Sequence, residues 1–139
     1  MTQVEWAYIA GIVDGEGTIH ISNQLALRVQ VVNTNKELIE WIASETEGRL
    51  YDTEHHKRRG KNKVLYCVEY SGLKAQNFLK PLLLYLRLKK VQAELAMLYP
   101  VSSPSQNRPL DVGIIRQRQF LREQISKANH PIQELTMGV

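Results

Sequence analysis

The sequence predicts an α+β fold built on a mixed or antiparallel β-sheet. Residues 18–22 and 25–33 alternate between polar and apolar side chains, with Asn23-Gln24 between them, which is typical of a hairpin with one polar face. Segments 49–54 and 64–70 predict two further strands. Helical spacing of apolar residues before, between and after these pairs predicts the order α-β-β-α-β-β-α-α-α.

The first helix, predicted over 5–14, is apolar on two sides. One stripe at the i, i+3, i+4, i+7 spacing consists of Trp6, Ile9, Ala10 and Val13. A second stripe at the same spacing consists of Tyr8, Gly11, Ile12 and Gly15. A helix that is apolar on two sides must be buried on two sides, so the second stripe needs another body. Gly11 in mid-helix costs about 1 kcal/mol relative to Ala, and close approach of another helix would offset that cost.

The second helix is predicted over 36–47, after the hairpin. Thr34 and Asn35 are suited to cap its N-terminus, and Gly48 is expected to end it. Its apolar residues include Leu38, Ile39, Trp41 and Ile42.

Three more helices are predicted in the second half of the chain, over 73–84, 89–99 and 110–129. Pro81 predicts a break or kink in the first of them, because proline cannot donate a backbone hydrogen bond. The Pro- and Ser-rich segment 100–109 predicts a loop. We assign 1–130 to a single domain and 131–139 to a C-terminal tail, since 139 residues suffice for one core but not two.

Composition excludes several classes of protein. Hydrophobic residues make up 43% and charged residues 23%, which is ordinary for a globular domain. The apolar run 82–86 is far short of the roughly 20 residues that a membrane span needs, and no secretory signal is visible. The lone Cys67 excludes an internal disulfide. We expect an intracellular protein, cytoplasmic or organellar, with no membrane partner and no small-molecule substrate.

Charge is distributed unevenly along the chain. The formal net charge is +4, but residues 55–92 hold ten Lys or Arg and one acid, Glu69. The remainder holds eight Lys or Arg and thirteen acids. Such an asymmetry suits a polyanionic partner, although a solvated basic face would produce the same pattern.

The segment Ile9-Ala10-Gly11-Ile12-Val13-Asp14-Gly15-Glu16-Gly17 resembles the LAGLIDADG motif of homing endonucleases at every position. The αββαββα order, the Gln-rich hairpin and Leu86-Arg87-Leu88-Lys89-Lys90-Val91-Gln92-Ala93 are similar to single-motif members of that family. The resemblance implies a curved sheet that lies across double-stranded DNA. Helices cover one face of this sheet, and further helices follow at the C-terminus. It also implies a homodimer that hydrolyses both DNA strands across the minor groove at a long, pseudo-palindromic site.

Glu16 is the predicted catalytic metal ligand. It follows the end of the first helix between Gly15 and Gly17, which permit tight turns and close backbone approach. If Tyr8, Gly11, Ile12 and Gly15 pair two copies of the helix, the two Glu16 carboxylates converge and repel one another. Divalent cations would compensate that repulsion, and carboxylate oxygen favours Mg²⁺, Mn²⁺ or Ca²⁺. We expect Mg²⁺ or Mn²⁺, held by Glu16 and the backbone of Gly15.

Two further catalytic residues follow from the resemblance. Lys89 aligns with the family's active-site lysine, although a surface lysine that begins a helix would look the same. Asn33 falls where the family often carries a Gln that orients water, and it is shorter by one methylene. Glu37 stands where some relatives have a basic residue, which departs from the family pattern.

The polar side of the two hairpins provides candidate DNA contacts. A two-stranded ribbon fits the major groove, where polar side chains read base edges. The base-reading candidates are His20, Ser22, Gln24, Arg28, Gln30, Tyr51, Thr53, His55, Tyr66 and Val68. The candidates for phosphate contact are Lys57, Arg58, Arg59, Lys61 and Lys63. A solvated sheet face and a soluble basic loop are the ordinary alternatives.

The same motifs have other interpretations. An EF-hand calcium loop starting at Asp14 fails, because Ile19 and Leu25 stand where Gly and an acid are required. A zinc site at His55-His56 lacks a third ligand nearby. Glu16 could be an ordinary turn carboxylate in a basic structural protein. An RNA maturase and a catalytically silent DNA-binding module are the functional alternatives on the same scaffold.

Overall fold

The computed structural model describes residues 1–52, 64–102 and 110–131. Its strands form one four-stranded sheet in the order β1-β2-β4-β3, with every pair antiparallel. The α+β class and the predicted element order are confirmed, and the sheet is antiparallel rather than mixed. The elements are α1 (Gln3–Glu16), β1 (Gly17–Ile21), β2 (Leu27–Asn33), α2 (Lys36–Thr46), β3 (Arg49–Asp52), β4 (Tyr66–Ser71), α3 (Leu73–Leu79), α4 (Lys90–Met97) and α5 (Val112–Asn129).

The helices cover one face of the sheet. Ile19, Val29 and Tyr70 lie directly opposite one another on β1, β2 and β4, and all three are buried. They join a core to which every helix contributes, for example through Ile39 of α2 and Leu121 of α5. The alternate residues of the strands point to the other face, which carries polar side chains. Among the described residues, the second face is therefore the open one.

The ends of α1 and α2 follow from their caps. Thr2 and Glu5 form a reciprocal capping box at the start of α1, which begins two residues earlier than predicted. Asn35 caps α2 by accepting a hydrogen bond from the Leu38 N–H at 2.9 Å. The prediction that Gly48 ends α2 is wrong, because Glu47 adopts the left-handed conformation, at φ 56°.

Gly48 is instead required by the close packing of the side chains around it. A Cβ atom at this position would lie 2.2 Å from Val68 Cγ2 and 2.8 Å from the Tyr70 ring. Both neighbours belong to β4 in the core, so they cannot move aside cheaply. Only glycine lets the chain pass from α2 into β3 this close to β4.

We therefore expect Gly48→Ala to lower the free energy of unfolding by about 1–3 kcal/mol, the usual cost of overpacking a core. Urea denaturation followed by circular dichroism measures this change. The control is Gly113→Ala in α5, where the nearest atom to an added Cβ is the Asp111 carboxylate oxygen at 3.2 Å. Equal stability of the wild type and Gly48→Ala would contradict this packing account.

The C-terminal helices are shorter than predicted. The helix expected over 73–84 ends at Leu79 and continues as a 3₁₀ turn, Lys80–Leu82, so the predicted break at Pro81 is confirmed. Helix α5 begins at Val112, after Asp111 accepts a hydrogen bond from the Gly113 N–H at 2.6 Å. Within the part of the chain that the structure describes, no helix is long and apolar enough to cross a membrane.

Candidate active site and nucleic-acid interface

Among the described residues, one of the two apolar stripes of α1 is buried and the other is largely exposed. Ile9, Ala10 and Val13 are completely buried. On the other side Tyr8 is 55% exposed, and a Cβ atom added to Gly11 would meet nothing within 4 Å. The same is true of Gly15. Nothing in the described chain therefore requires glycine at these two positions, although the helix bears their conformational cost.

The exposed stripe leads along a shallow groove to the predicted catalytic residues. The groove is lined by Ala7, Tyr8, Gly11, Ile12, Gly15, Glu16 and Asn33. At one side the Tyr8 ring lies 6.1 Å from the Trp41 ring of α2, measured between centroids. The four residues predicted to form a helix–helix interface thus share one continuous surface.

Glu16 is the last residue of α1, and its side chain is held by Asn33. The Asn33 Nδ2 group donates a hydrogen bond to Glu16 Oε2 at 2.6 Å. The Asn33 Oδ1 atom accepts one from the Asn35 N–H at 2.7 Å. Because the amide is fixed at both ends, it orients an exposed carboxylate that would otherwise rotate freely. The structure thus brings together two of the three residues predicted to be catalytic.

Gly17 explains how the strand can follow the helix without a linker. Its N–H donates to the Val13 carbonyl, and a Cβ atom there would lie 2.7 Å from that oxygen. Strand β1 therefore starts directly after Glu16, and the carboxylate stands at the junction of helix and sheet.

Asp14 and Lys89 tie this junction to α4. The Asp14 carboxylate accepts hydrogen bonds from the backbone N–H groups of Arg87, Leu88 and Lys89 at 2.8–3.1 Å. In return Lys89 Nζ donates to the Asp14 carbonyl at 2.7 Å. Asp14 is thus a hydrogen-bonding residue at the end of α1. A cation at the last turn of α1 also compensates the negative end of the helix dipole.

Glu16 does not belong to a cluster of potential metal ligands in the described part of the chain. Within 1–52, 64–102 and 110–131, no group of three or more His, Cys, Asp or Glu side chains could hold an ion. Glu16 offers one carboxylate, and Gly15 adds a backbone carbonyl. Oxygen ligands of this kind suit hard cations such as Mg²⁺ or Ca²⁺, which need about six of them. The donor type therefore fits a divalent cation, which commonly completes its coordination with water and phosphate oxygens.

The open face of the sheet brings four predicted base-reading residues together. His20 lies opposite Arg28, and Gln30 lies one alternate position further along β2. Tyr51 of β3 completes the group, because its hydroxyl accepts a hydrogen bond from Gln30 Nε2 at 3.1 Å. Polar donors and acceptors on adjacent strands thus form one surface.

His20 is the member of this surface with an unsatisfied atom. Its Nδ1 is buried and has no hydrogen-bond partner among the described residues. Burial, followed by the charge of Arg28, lowers the pKa of the imidazole. His20 is therefore neutral at pH 7, and its ring can both donate and accept a hydrogen bond.

Two of the predicted base-reading residues are corrected by the strand register. Val68 lies opposite Val31 and is completely buried in the core, so its predicted role is wrong. Tyr66 lies opposite Asn33 on the helix-covered side, with Lys36 Nζ 5.9 Å from its ring centroid. It does not share a face with Tyr51, which lies opposite Cys67.

The remaining predicted contacts lie in the β1-β2 turn or outside the described part of the chain. Ser22 and Gln24 lie in the turn between β1 and β2, where Ser22 Oγ accepts a hydrogen bond from the Ala26 N–H. The predictions for seven other residues lie outside the described part of the chain: Thr53, His55, Lys57, Arg58, Arg59, Lys61 and Lys63.

Thr18, Glu69 and Arg49 also lie on the open face, although they were not among the predicted DNA contacts. Together with Gln30 they form one row across all four strands. The same alternation that selected Gln30 and Tyr51 also selects Thr18 and Arg49. Glu69 was not selected, because the predicted contacts on β4, Tyr66 and Val68, belong to the opposite face of that strand.

Comparison with known proteins identifies the fold. No family model and no curated protein sequence matches the chain. Two solved structures of the homing endonuclease I-CvuI are similar to it with a TM-score of 0.71, at 21% and 20% identity, over 94% of this chain and 85% of theirs. One was determined with its target DNA and 2 mM Ca, the other with the I-CreI target and 2 mM Mg, with the DNA not cleaved.

A third structure extends the likeness. The archaeal intron-encoded homing endonuclease I-Vdi141I, complexed with DNA, has a TM-score of 0.64 and 17% identity over 93% of this chain and 86% of its own. The fold expected from the LAGLIDADG resemblance is thus confirmed: the chain has the fold of these homing endonucleases.

Proposed function

We propose that this chain is a site-specific DNA endonuclease that cuts both strands of a long, pseudo-palindromic site, as a homodimer and with a divalent metal ion. The observation that carries the proposal is the groove along the exposed side of α1. It contains Gly11 and Gly15, and it ends at the exposed Glu16. A DNA-cutting protein of this kind acts inside cells, in the cytoplasm or an organelle.

Dimerisation accounts for the conformational cost of the glycines in α1. Tyr8 supplies exposed apolar surface and the half-buried Ile12 lines the same groove, while Gly11 and Gly15 leave room for a facing backbone. A twofold pairing through this face is self-complementary, because the same residues meet from both sides. It also brings two copies of the α1 C-terminus together, and with them two Glu16 carboxylates.

Such a pair of carboxylates would bring ligands from two chains to one site. Glu16 and the Gly15 carbonyl from each copy would hold Mg²⁺ or Mn²⁺. A bound divalent cation would stabilise negative charge on the phosphodiester that is cut. Asn33 keeps the Glu16 carboxylate in one orientation through its hydrogen bond to Oε2. Lys89, fixed by its contact with the α1 terminus, places a positive charge beside the approaching phosphate.

The open face of the sheet provides the DNA-binding surface. Antiparallel strands fit the major groove, and His20, Arg28, Gln30 and Tyr51 have polar groups for base edges. The basic segment 57–63 would add contacts to phosphates, which strengthen binding without regard to sequence. The DNA complexes of I-CvuI and I-Vdi141I, which share the fold, support this assignment.

Incubation of the protein with a library of DNA duplexes tests the proposal. We expect double-strand cuts at one set of related, pseudo-palindromic sites in Mg²⁺ or Mn²⁺, and none in a metal chelator. Selective binding without cutting in either metal would indicate the silent DNA-binding module. Selective binding of structured RNA, with no DNA site selected, would indicate a maturase.

A further inference from the structure

The middle of the open face holds an acid, Glu69, where a surface that approaches DNA would be expected to carry none. Its side chain is 11% exposed and lies between Gln30 of β2 and Arg49 of β3 in the same row. An isolated carboxylate at this place would repel phosphates. The repulsion between Glu69 and phosphates must therefore be offset by another contribution of this residue.

Glu69 is bonded to the two central polar residues of β2. Its Oε1 atom forms an ion pair with Arg28 Nη1, and its Oε2 atom accepts a hydrogen bond from Gln30 Nε2 at 3.3 Å. Burial opposes ionisation, but the hydrogen bonds from Arg28 and Gln30, together with the positive charge of Arg28, lower the pKa of Glu69. The carboxylate is thus ionised at neutral pH and acts only as an acceptor.

These bonds determine what Gln30 can offer to a ligand. Its side-chain amide has two N–H donors and one carbonyl oxygen. One donor goes to Tyr51 Oη at 3.1 Å and the other to Glu69 Oε2. Both donors are therefore used within the sheet, and among the described residues the carbonyl oxygen is the group that remains for DNA.

We propose that Glu69 is a positioning residue for base recognition, which makes Gln30 an acceptor and fixes the guanidinium of Arg28. This inference rests on the proposed function. Gln30 would then accept from an amino group in the major groove, on cytosine N4 or adenine N6. Arg28 keeps free N–H groups for guanine O6 and N7. The two residues are two positions apart on one strand, roughly 7 Å, so they reach base pairs about two steps apart.

Selection of bound duplexes from a randomised library tests this role, with base preferences compared between variants. Glu69→Leu removes both acceptor oxygens and the charge, whereas Glu69→Gln removes the charge and replaces one acceptor oxygen by an N–H donor. We expect Glu69→Leu to lose roughly tenfold in preference at one or two base pairs of each half-site. Glu69→Gln should lose less, because its one oxygen can accept from either Arg28 or Gln30 but not from both. The control Glu45→Gln removes an exposed acid from α2, on the other side of the sheet, and should change no preference.

Two results would overturn the inference. One is a Glu69→Leu protein with wild-type base preferences. The other is a further change when Glu69→Leu is added to the double variant Arg28→Ala, Gln30→Ala, because a residue that acts through these two has no effect without them. A wild-type protein that selects no DNA site at all would instead overturn the proposed function, so the two failures are distinguishable.

Discussion

Replacing Glu16 by Gln is expected to lower the rate of DNA cutting by about a thousandfold while leaving DNA binding within about twofold of the wild type. The amide keeps the shape of the side chain but not its negative charge, so it is a poor ligand for a divalent cation. Loss of metal-assisted charge stabilisation costs several kcal/mol, and each 1.36 kcal/mol is tenfold in rate. The Glu16 side chain is exposed at the end of α1, so the fold does not depend on its charge.

Single-turnover cutting and equilibrium binding, both measured on the selected site, separate these two effects. Glu94→Gln is the matched control, because Glu94 is an exposed acid on α4. It should cut at the wild-type rate. Cutting by Glu16→Gln within tenfold of the wild type would rule out Glu16 as the catalytic metal ligand.

Gly11→Leu is expected to abolish cutting for a different reason, by separating the two copies. In one chain the site is open, since an added Cβ meets nothing within 4 Å. Leucine is also a better helix former than glycine, by about 0.8 kcal/mol, so the isolated chain should not unfold more easily. In a pair of crossed helices, two leucines would be forced into the contact. Overpacking costs about 1–3 kcal/mol at each, which weakens association by roughly a hundredfold or more.

Cutting assays and urea denaturation at low protein concentration test this expectation together. A control leucine at Glu45, an exposed position on α2, adds the same side chain away from the α1 face and should preserve cutting. Full activity of Gly11→Leu would contradict the proposed interface. A large loss of monomer stability would instead show that Gly11 is needed within the chain itself.

The β1-β2 hairpin and the two apolar stripes of α1 could be predicted because each pattern is local. Alternation between Leu27 and Val31 sets the face of β2, and helical spacing sets the two stripes of α1. Strand β4 was different. Cys67 and Val68 are both apolar, so alternation does not determine which of them points into the core. Pairing of Val68 with Val31 decides it, and a shift of one residue reverses every side chain.

Contacts between distant residues account for most of what the sequence did not reveal. Asp14 binds the start of α4 across 73 positions of the chain, and no short-range motif records that partner. Gly48 was interpreted from its common role after helices, whereas its actual constraint is the space beside Val68 and Tyr70. Glu69 likewise has its partners on β2. The sequence identified which residue types carry chemistry, and the fold determined which of them meet.

Sedimentation equilibrium of the wild-type protein, with Gly11→Leu alongside, tests most directly whether two chains pair through α1. We expect the wild type to have twice the mass of one chain at micromolar concentration, and Gly11→Leu to have the mass of one chain. A wild-type protein that stays a single chain, both alone and on its selected DNA, would contradict the shared Glu16 site and with it the proposed mechanism of cutting.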